Sequence, residues 1–219
     1  MTQIDKERDI ATASALDAVN ATSQSSVVPE AAQTAAKKNL PLIIAALMLT
    51  MLLSALGQTI FGAALPTIVG ELGGVNHMSW VVTAFLLGQT ISLPIFGKLG
   101  DQFGRKYLFM FSIALFVVGS AVGAMAQSMA VLIVARAMQG VAGGGLMILS
   151  QAILADVTTA RERAKYMGIM GSVFGLSSVL GPLLGGWFTD GPGWRWGLWF
   201  NVPLGIVALI SIAAFLKLP

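Results

Sequence analysis

The sequence predicts an all-α polytopic membrane protein with six spans, and three observations lead there. Of its 219 residues, 56% are hydrophobic and 11% are charged, against roughly 25% charged in an ordinary soluble domain. The apolar residues fall in blocks of about 17 to 25, enough to cross a bilayer core as helices at ~1.5 Å per residue. Of the 13 Lys and Arg, all but Lys98 and Arg136 lie outside these blocks, in the N-terminal stretch, the short connectors or the last residues.

The spans are placed at about 40–69, 79–99, 108–126, 130–154, 166–188 and 198–216. The first is long for one crossing and is expected to tilt or to end in the interface. The turn SMAV between spans three and four is too short for anything but antiparallel neighbours. Residues 1–38, rich in Ala, Ser, Thr and Gln, read as a disordered cytoplasmic tail. They contain no apolar core that would mark a cleaved secretory signal. The bundle proper is 39–219.

Orientation follows from the basic residues. With the N-terminus in the cytoplasm, the inner side holds Lys37, Lys38, Lys98, Arg105, Lys106, Arg161, Arg163, Lys165 and Lys217, and the outer side only Arg195. This bias sets the orientation; a multi-pass chain of the plasma (inner) membrane is expected. It also accounts for much of the net charge of +3 without a nucleic-acid partner. There is no cysteine, and His77 is the single histidine, so no thiolate or histidine-rich metal site is expected. GVAGGG lies in an apolar span with no Lys-Ser or Lys-Thr after it, so it is no phosphate loop. No cofactor and no enzymatic activity are expected. An ion channel finds no filter-like run or ring of carboxylates.

The stretch GKLGDQFGRK, from Gly97, sets a polar hinge between spans two and three. Topology alone requires Lys98, Arg105 and Lys106, but not Asp101 or Gly97, Gly100 and Gly104. Glycines permit sharp turning and close approach, and a carboxylate there is suited to a helix N-terminus. Asp156 ends span four on the same face as Arg105. Gly97, Gly100, Asp101, Gly104, Arg105, Lys106 and Asp156 are therefore expected to form a conformational latch.

The hinge has an echo. Gly97, Asp101 and Gly104, followed by Arg105, recur at the same intervals as Gly186, Asp190 and Gly193, with Arg195 one residue later. One set closes span two, the other span five. A duplicated three-span unit in inverted orientation explains this, the device by which many secondary transporters build two shapes. Small residues at helical spacing (Gly119 and Gly123, Gly140 and Gly144, Gly171 and Gly175, Gly181 and Gly185) predict close helix packing. Pro182, in GPLLGG, can bend its helix.

Within the spans Arg136 is the one basic residue at depth. It is expected to face a cavity or partner, with Gln139 and Gln89 in a polar cluster and Gln58 and Thr59 at similar depth. Snorkelling to the outer headgroups is the alternative. No span has an Asp or Glu near its middle. Trp194, Trp196 and Trp199 read as interfacial anchors, as does Trp80; Arg195 is expected to reach lipid phosphate or Asp190, and Asn201 to brace span six. Thr158 or Thr159 is expected to cap a short surface helix.

These motifs resemble a known family. GKLGDQFGRK resembles the hinge motif of the major facilitator superfamily, and RAMQGVAGGG its fourth-span motif. GSVFGLSSVLGPLLGG resembles the fifth-span motif of its drug-exporting branches. ALGQTIFGAALPTI and WRWGLWFNVPLG are similar to stretches of the fourteen-span drug/proton antiporters. The resemblance covers Leu40 to the last residue. It implies a major facilitator fold, here an N-terminal six-helix bundle of two inverted three-helix repeats, and proton-driven multidrug efflux of small lipophilic, often cationic compounds. Membrane lipid, protons and substrate are the implied partners. By resemblance Asp101 contacts a helix start in the opposite half, Arg105 pairs near Asp156, and Arg136 takes part in proton coupling. Gly175, Gly181, Pro182, Gly185 and Gly186 belong to the antiporter helix.

The chain departs from that pattern where Gly57 and Gly62 stand in place of the branch's aspartate and asparagine. Coupling through acids of later spans, another ion, or a non-cationic substrate are the open alternatives. The family has twelve or fourteen spans, so the C-terminal half is expected to be absent from this chain; a homodimer of six-span units is the alternative. Another solute (nutrient, peptide or lipid) in the same fold, or a non-transporting scaffold or sensor, are the competing functions.

Overall fold

The computed structural model describes the backbone of residues 30–216 and the side chains of residues 39–216. Helix α1 spans Glu30–Leu72, and a 3-10 turn follows at Val75–His77. Then come α2 Met78–Phe103, α3 Arg105–Ala124, α4 Met129–Val157, α5 Ala160–Asp190, α6 Trp194–Trp199 and α7 Asn201–Phe215. Six stretches are long and apolar enough to cross a membrane, α6 and α7 together forming the sixth, Trp194–Phe215. The described residues contain no strand. The fold is an all-α six-helix membrane bundle.

The chain divides into two units, Met1–Lys38 and Asn39–Pro219. Most of the expected tail, residues 1–29, lies outside the described residues; from Glu30 the backbone is helical. The sequence EAAQTAAKK is built of strong helix formers, so its polarity does not end the helix.

Helices run past their apolar blocks wherever the polar residues still favour helix. The connector between α4 and α5 shrinks to Thr158 and Thr159. Thr159 Oγ1 and Glu162 close a reciprocal capping box, which starts α5 at Ala160. The cap therefore begins the membrane helix itself, not a separate surface helix. Ser128 Oγ accepts from the Val131 N–H and starts α4. The apolar runs mark the hydrocarbon core; caps and glycines mark the helix ends.

The central helix is α4. It packs along α2 and α3, and α3 in turn packs on α6 and α7. Leu47, Leu53, Phe109, Ile113, Phe116, Leu146, Leu149 and Ile153 form the core. Without Cβ atoms, Gly140 and Gly144 let α4 lie against the α2 backbone: a Cβ on Gly140 would overlap the Phe85 carbonyl, and one on Gly144 would come 2.6 Å from the Gln89 carbonyl. Helices α2 and α5 bury least of their length, 22% and 17% of their most apolar stretches. Leu86, Leu87, Ile91, Val179, Leu183 and Trp187 stand exposed on them. So much apolar surface is costly in water and is what a bilayer, or further helices, would cover.

Candidate functional site

The hinge is built on one backbone conformation. Gly104 has φ +93°, which lets α2 stop at Phe103 and α3 start at Arg105; an L side chain there would be strained. Arg105 then faces the last turn of α4. Its guanidinium donates to Asp101 Oδ1 at 2.8 Å, to Asp156 Oδ1 at 2.5 Å and to the Ala152 carbonyl at 3.1 Å. One side chain thus ties the end of α2, the start of α3 and the end of α4. Only a planar fork reaches all three acceptors. Asp101 keeps 66% of its side chain exposed and Asp156 35%, so both acids retain capacity for other partners. Lys106 Nζ donates to the Ala213 carbonyl at 3.3 Å, a cation at the C-terminal end of α7. Gly100 lies under Leu149, whose Cδ2 a Cβ would meet at 2.7 Å; Gly97 has ordinary room, with Ile148 at 3.6 Å.

Arg136 is 3% exposed and so does not snorkel. Its guanidinium is sandwiched between two rings, 4.3 Å from the Phe61 centroid and 4.3 Å from that of Phe85. It donates to Gln139 Oε1 at 3.1 Å; Gln139 Nε2 donates to Ser120 Oγ at 2.9 Å, and Asn201 Nδ2 to the same oxygen at 3.4 Å. Residues of α1, α2, α3, α4 and α7 thus meet in one buried polar chain. Arg136 Nε and Asn201 Oδ1 have no hydrogen-bond partner among the described residues. Gly57 lies at the chain's far end: a Cβ there would sit 3.3 Å from Asn201 Nδ2. The position where the resemblance expects a carboxylate is therefore adjacent to this network.

The structure does not bring all the expected polar residues to Arg136. Gln58 and Gln89 are partly exposed and make no side-chain hydrogen bond among the described residues. Thr59 turns to α5 instead, donating to the Ser177 carbonyl at 3.2 Å. Phe61, Phe85 and Ser120 were not singled out by the sequence. Arg136→Lys is expected to lower thermal stability nearly as far as Arg136→Ala. The ammonium keeps the charge but loses planar stacking on two rings, a contact worth roughly 2 kcal/mol when desolvated. Thermal unfolding in detergent measures this; a Lys variant as stable as the parent would contradict it.

Helix α5 has two glycine faces. Gly181 packs so closely on Thr59 that a Cβ would overlap it, and one on Gly185 would meet Ala63 Cβ at 2.8 Å. Gly168, Gly171, Gly175 and Gly186 have nothing within 4 Å of an added Cβ. Pro182 is exposed within an unbroken helix.

A second ionic cluster lies at the other end of the bundle. Trp194 is 3% exposed and buried, not an anchor. Its indole N–H donates to Glu71 Oε2 at 2.8 Å. Arg195 donates to the same oxygen at 3.2 Å and to the Ala126 carbonyl at 2.9 Å. Arg195 is thus held by Glu71, which the sequence did not single out, rather than by Asp190. Trp80 and Trp196 are exposed, as interfacial anchors would be. Asn201 braces span six through Ser120, deep in the bundle.

The fold and sequence have clear relatives. The chain superposes with a TM-score of 0.66 on the human organic anion transporter MFSD10, at 24% identity over 82% of this chain and 48% of that one. It superposes with a TM-score of 0.72 on the proton:xylose symporter XylE, at 14% identity over 81% of this chain and 45% of that one. In sequence it is 46% identical to an uncharacterized MFS-type transporter of Mycobacterium tuberculosis, over 79% of this chain and 25% of the relative. It is 43% identical to the multidrug transporter protein MdtP of Bacillus subtilis, over 80% of this chain and 32% of the relative. The chain therefore spans about a quarter to a third of the length of these curated relatives. The family model described as Major Facilitator Superfamily matches residues 47–219, and with six antiparallel membrane helices that match establishes that the chain belongs to the Major Facilitator Superfamily.

Proposed function

We propose that this protein is a proton-coupled secondary exporter of small lipophilic or amphipathic compounds. It works by alternating access, in the manner of the fourteen-span drug/proton antiporters, from the plasma membrane with its N-terminus in the cytoplasm. The observation that carries the reading is the Arg105 cluster. Its contacts join three helix ends through half-exposed ions, so they can be made in one packing and released in another at modest cost. The open glycines Gly168, Gly171 and Gly175 along one side of α5 support it, because small residues there let another backbone come close. Likeness to a multidrug transporter supports the substrate class. Coverage of under half of the two solved transporters supports a second bundle of the same fold, supplied by the same polypeptide, as the opposite wall of the cavity.

Protonation is assigned to acids outside these spans, since the described spans hold no mid-depth Asp or Glu. That same feature favours one second reading: a transporter of another solute, coupled differently or not at all. The whole polypeptide in proteoliposomes separates the two. A cationic dye is expected to accumulate only under an imposed pH gradient, and a protonophore should return uptake to background. Dye flux indifferent to the gradient removes proton coupling; no dye flux with uptake of a sugar or peptide removes the drug-export reading.

A further inference from the structure

We propose that Glu71, Trp194 and Arg195 are positioning residues for the conformational change. They form a second clasp, on the face opposite the hinge, that biases the equilibrium in the opposite sense to the Arg105 cluster. This rests on the alternating-access reading above.

The inverted repeat makes a geometric demand. Exchanging the two trios maps span three onto span six and span four onto span one. An ion pair from the start of α3 to the end of α4 must then reappear between the start of α6 and the end of α1. Arg105–Asp156 is the first pair and Arg195–Glu71 the second. The backbone repeats as well. Gly104 precedes α3 with φ +93° and ψ 128°, and Gly193 precedes α6 with φ +110° and ψ 154°. Each arginine also donates to a carbonyl at or near the end of a neighbouring span, Ala152 on one face and Ala126 on the other.

The chemistry of the two clusters matches in kind. Each joins three helix ends through one guanidinium whose pairs are partly exposed. In the second, Trp194 supplies the other donor to the shared carboxylate, and the Arg195 guanidinium lies 4.4 Å from its ring centroid. The cluster borders an open cleft of about 760 Å³, walled by Pro192, Trp196, Trp199 and Pro203, so the clasp has room to open. Asp190, the repeat counterpart of Asp101, stands exposed nearby, as Asp101 does.

The chain has no cysteine, so introduced thiols can report the state of each face. The experiment uses the whole polypeptide in membranes, with any other cysteine replaced by serine. Single reporters Gly168→Cys and Gly186→Cys sit near opposite ends of α5 in open positions. Their reactivity with a maleimide gives a ratio that needs no substrate. Glu71→Gln is expected to raise labelling at 186 relative to 168 by about two- to fivefold, the range an exposed ion pair permits. Arg105→Gln is expected to move the ratio the other way. Trp194→Phe keeps the ring, removes the N–H donor and should follow Glu71→Gln. The exchange Glu71→Arg with Arg195→Glu should return the ratio towards the parent value; a merely structural brace would lower thermal stability in the single variants without shifting the ratio in opposite directions for the two faces. If the Glu71 and Trp194 variants shift the ratio in the Arg105 direction, or only Arg105→Gln shifts it, the second clasp is overturned. If neither face responds, the alternating-access reading falls with it.

Discussion

Gly140→Leu is expected to lower the melting temperature and the recovery of folded protein sharply, since each ~1.4 kcal/mol of destabilisation shifts the folded-to-unfolded ratio about tenfold. A Cβ at this position overlaps the Phe85 carbonyl, and backbone cannot rotate away as a side chain can. The extensive α2–α4 contact must part along its length. Overpacking in a close-packed core costs about 1 to 3 kcal/mol, more where backbone must move. The displacement also pulls the Phe85 ring from Arg136, whose charge would lose one of its two aromatic faces. Gly168→Leu is the control, since nothing lies within 4 Å of that site; its folded yield should stay within about twofold of the parent. Size-exclusion recovery from detergent and thermal unfolding read both. Equal behaviour of the two variants would show that glycine at 140 is incidental.

Arg105→Ala is expected to abolish gradient-driven export while leaving the bundle folded. The two ion pairs it removes are partly exposed, so the loss in stability stays at or below about 1 kcal/mol. The conformational effect is larger than the stability effect, because α2, α3 and α4 lose their common fastening at the point where α2 turns into α3. Asp101 and Asp156, on neighbouring helix ends, are then left facing each other without a cation between. Arg105→Lys should recover only a minor part of the flux, since an ammonium cannot serve two carboxylates and the Ala152 carbonyl in one geometry. Transport assays at matched surface expression decide it; normal flux in the alanine variant would remove the hinge from the mechanism.

The sequence was informative where the solvent imposed a pattern or glycines recurred at helical spacing, as at Gly140 and Gly144, and less so where larger side chains of different helices meet. Lipid tolerates few charges, so the six spans and the hinge stood out as apolar blocks and a polar knot. Gly104 was legible because few residues can turn two helices on a single residue. The pairing of Arg105 with Asp101 and Asp156 was also open to inference, from charge and membrane side alone. The ring sandwich around Arg136 was not, because the register between α1, α2 and α4 depends on three-dimensional packing that spacing does not encode. Gln89 was expected beside Arg136 on depth alone, yet depth does not fix which way a helix faces. Gly171 and Gly175 show the same limit: their spacing signals a smooth face, but not that the face lies open. Glu71 is the instructive omission. A single acid at a span end attracts no notice, and the inverted repeat points only to the end of span one, not to the residue.

Span six is not one rod. It is α6 and α7 meeting at Phe200, and Pro203 leaves the Trp199 carbonyl without its usual helical donor. The short piece is tethered sideways to α1 and to the turn after α3, while the long piece lies along α3. Such an elbow lets one rim of the bundle swing without dragging the whole helix through the lipid, so movement at one membrane surface need not be transmitted rigidly to the other.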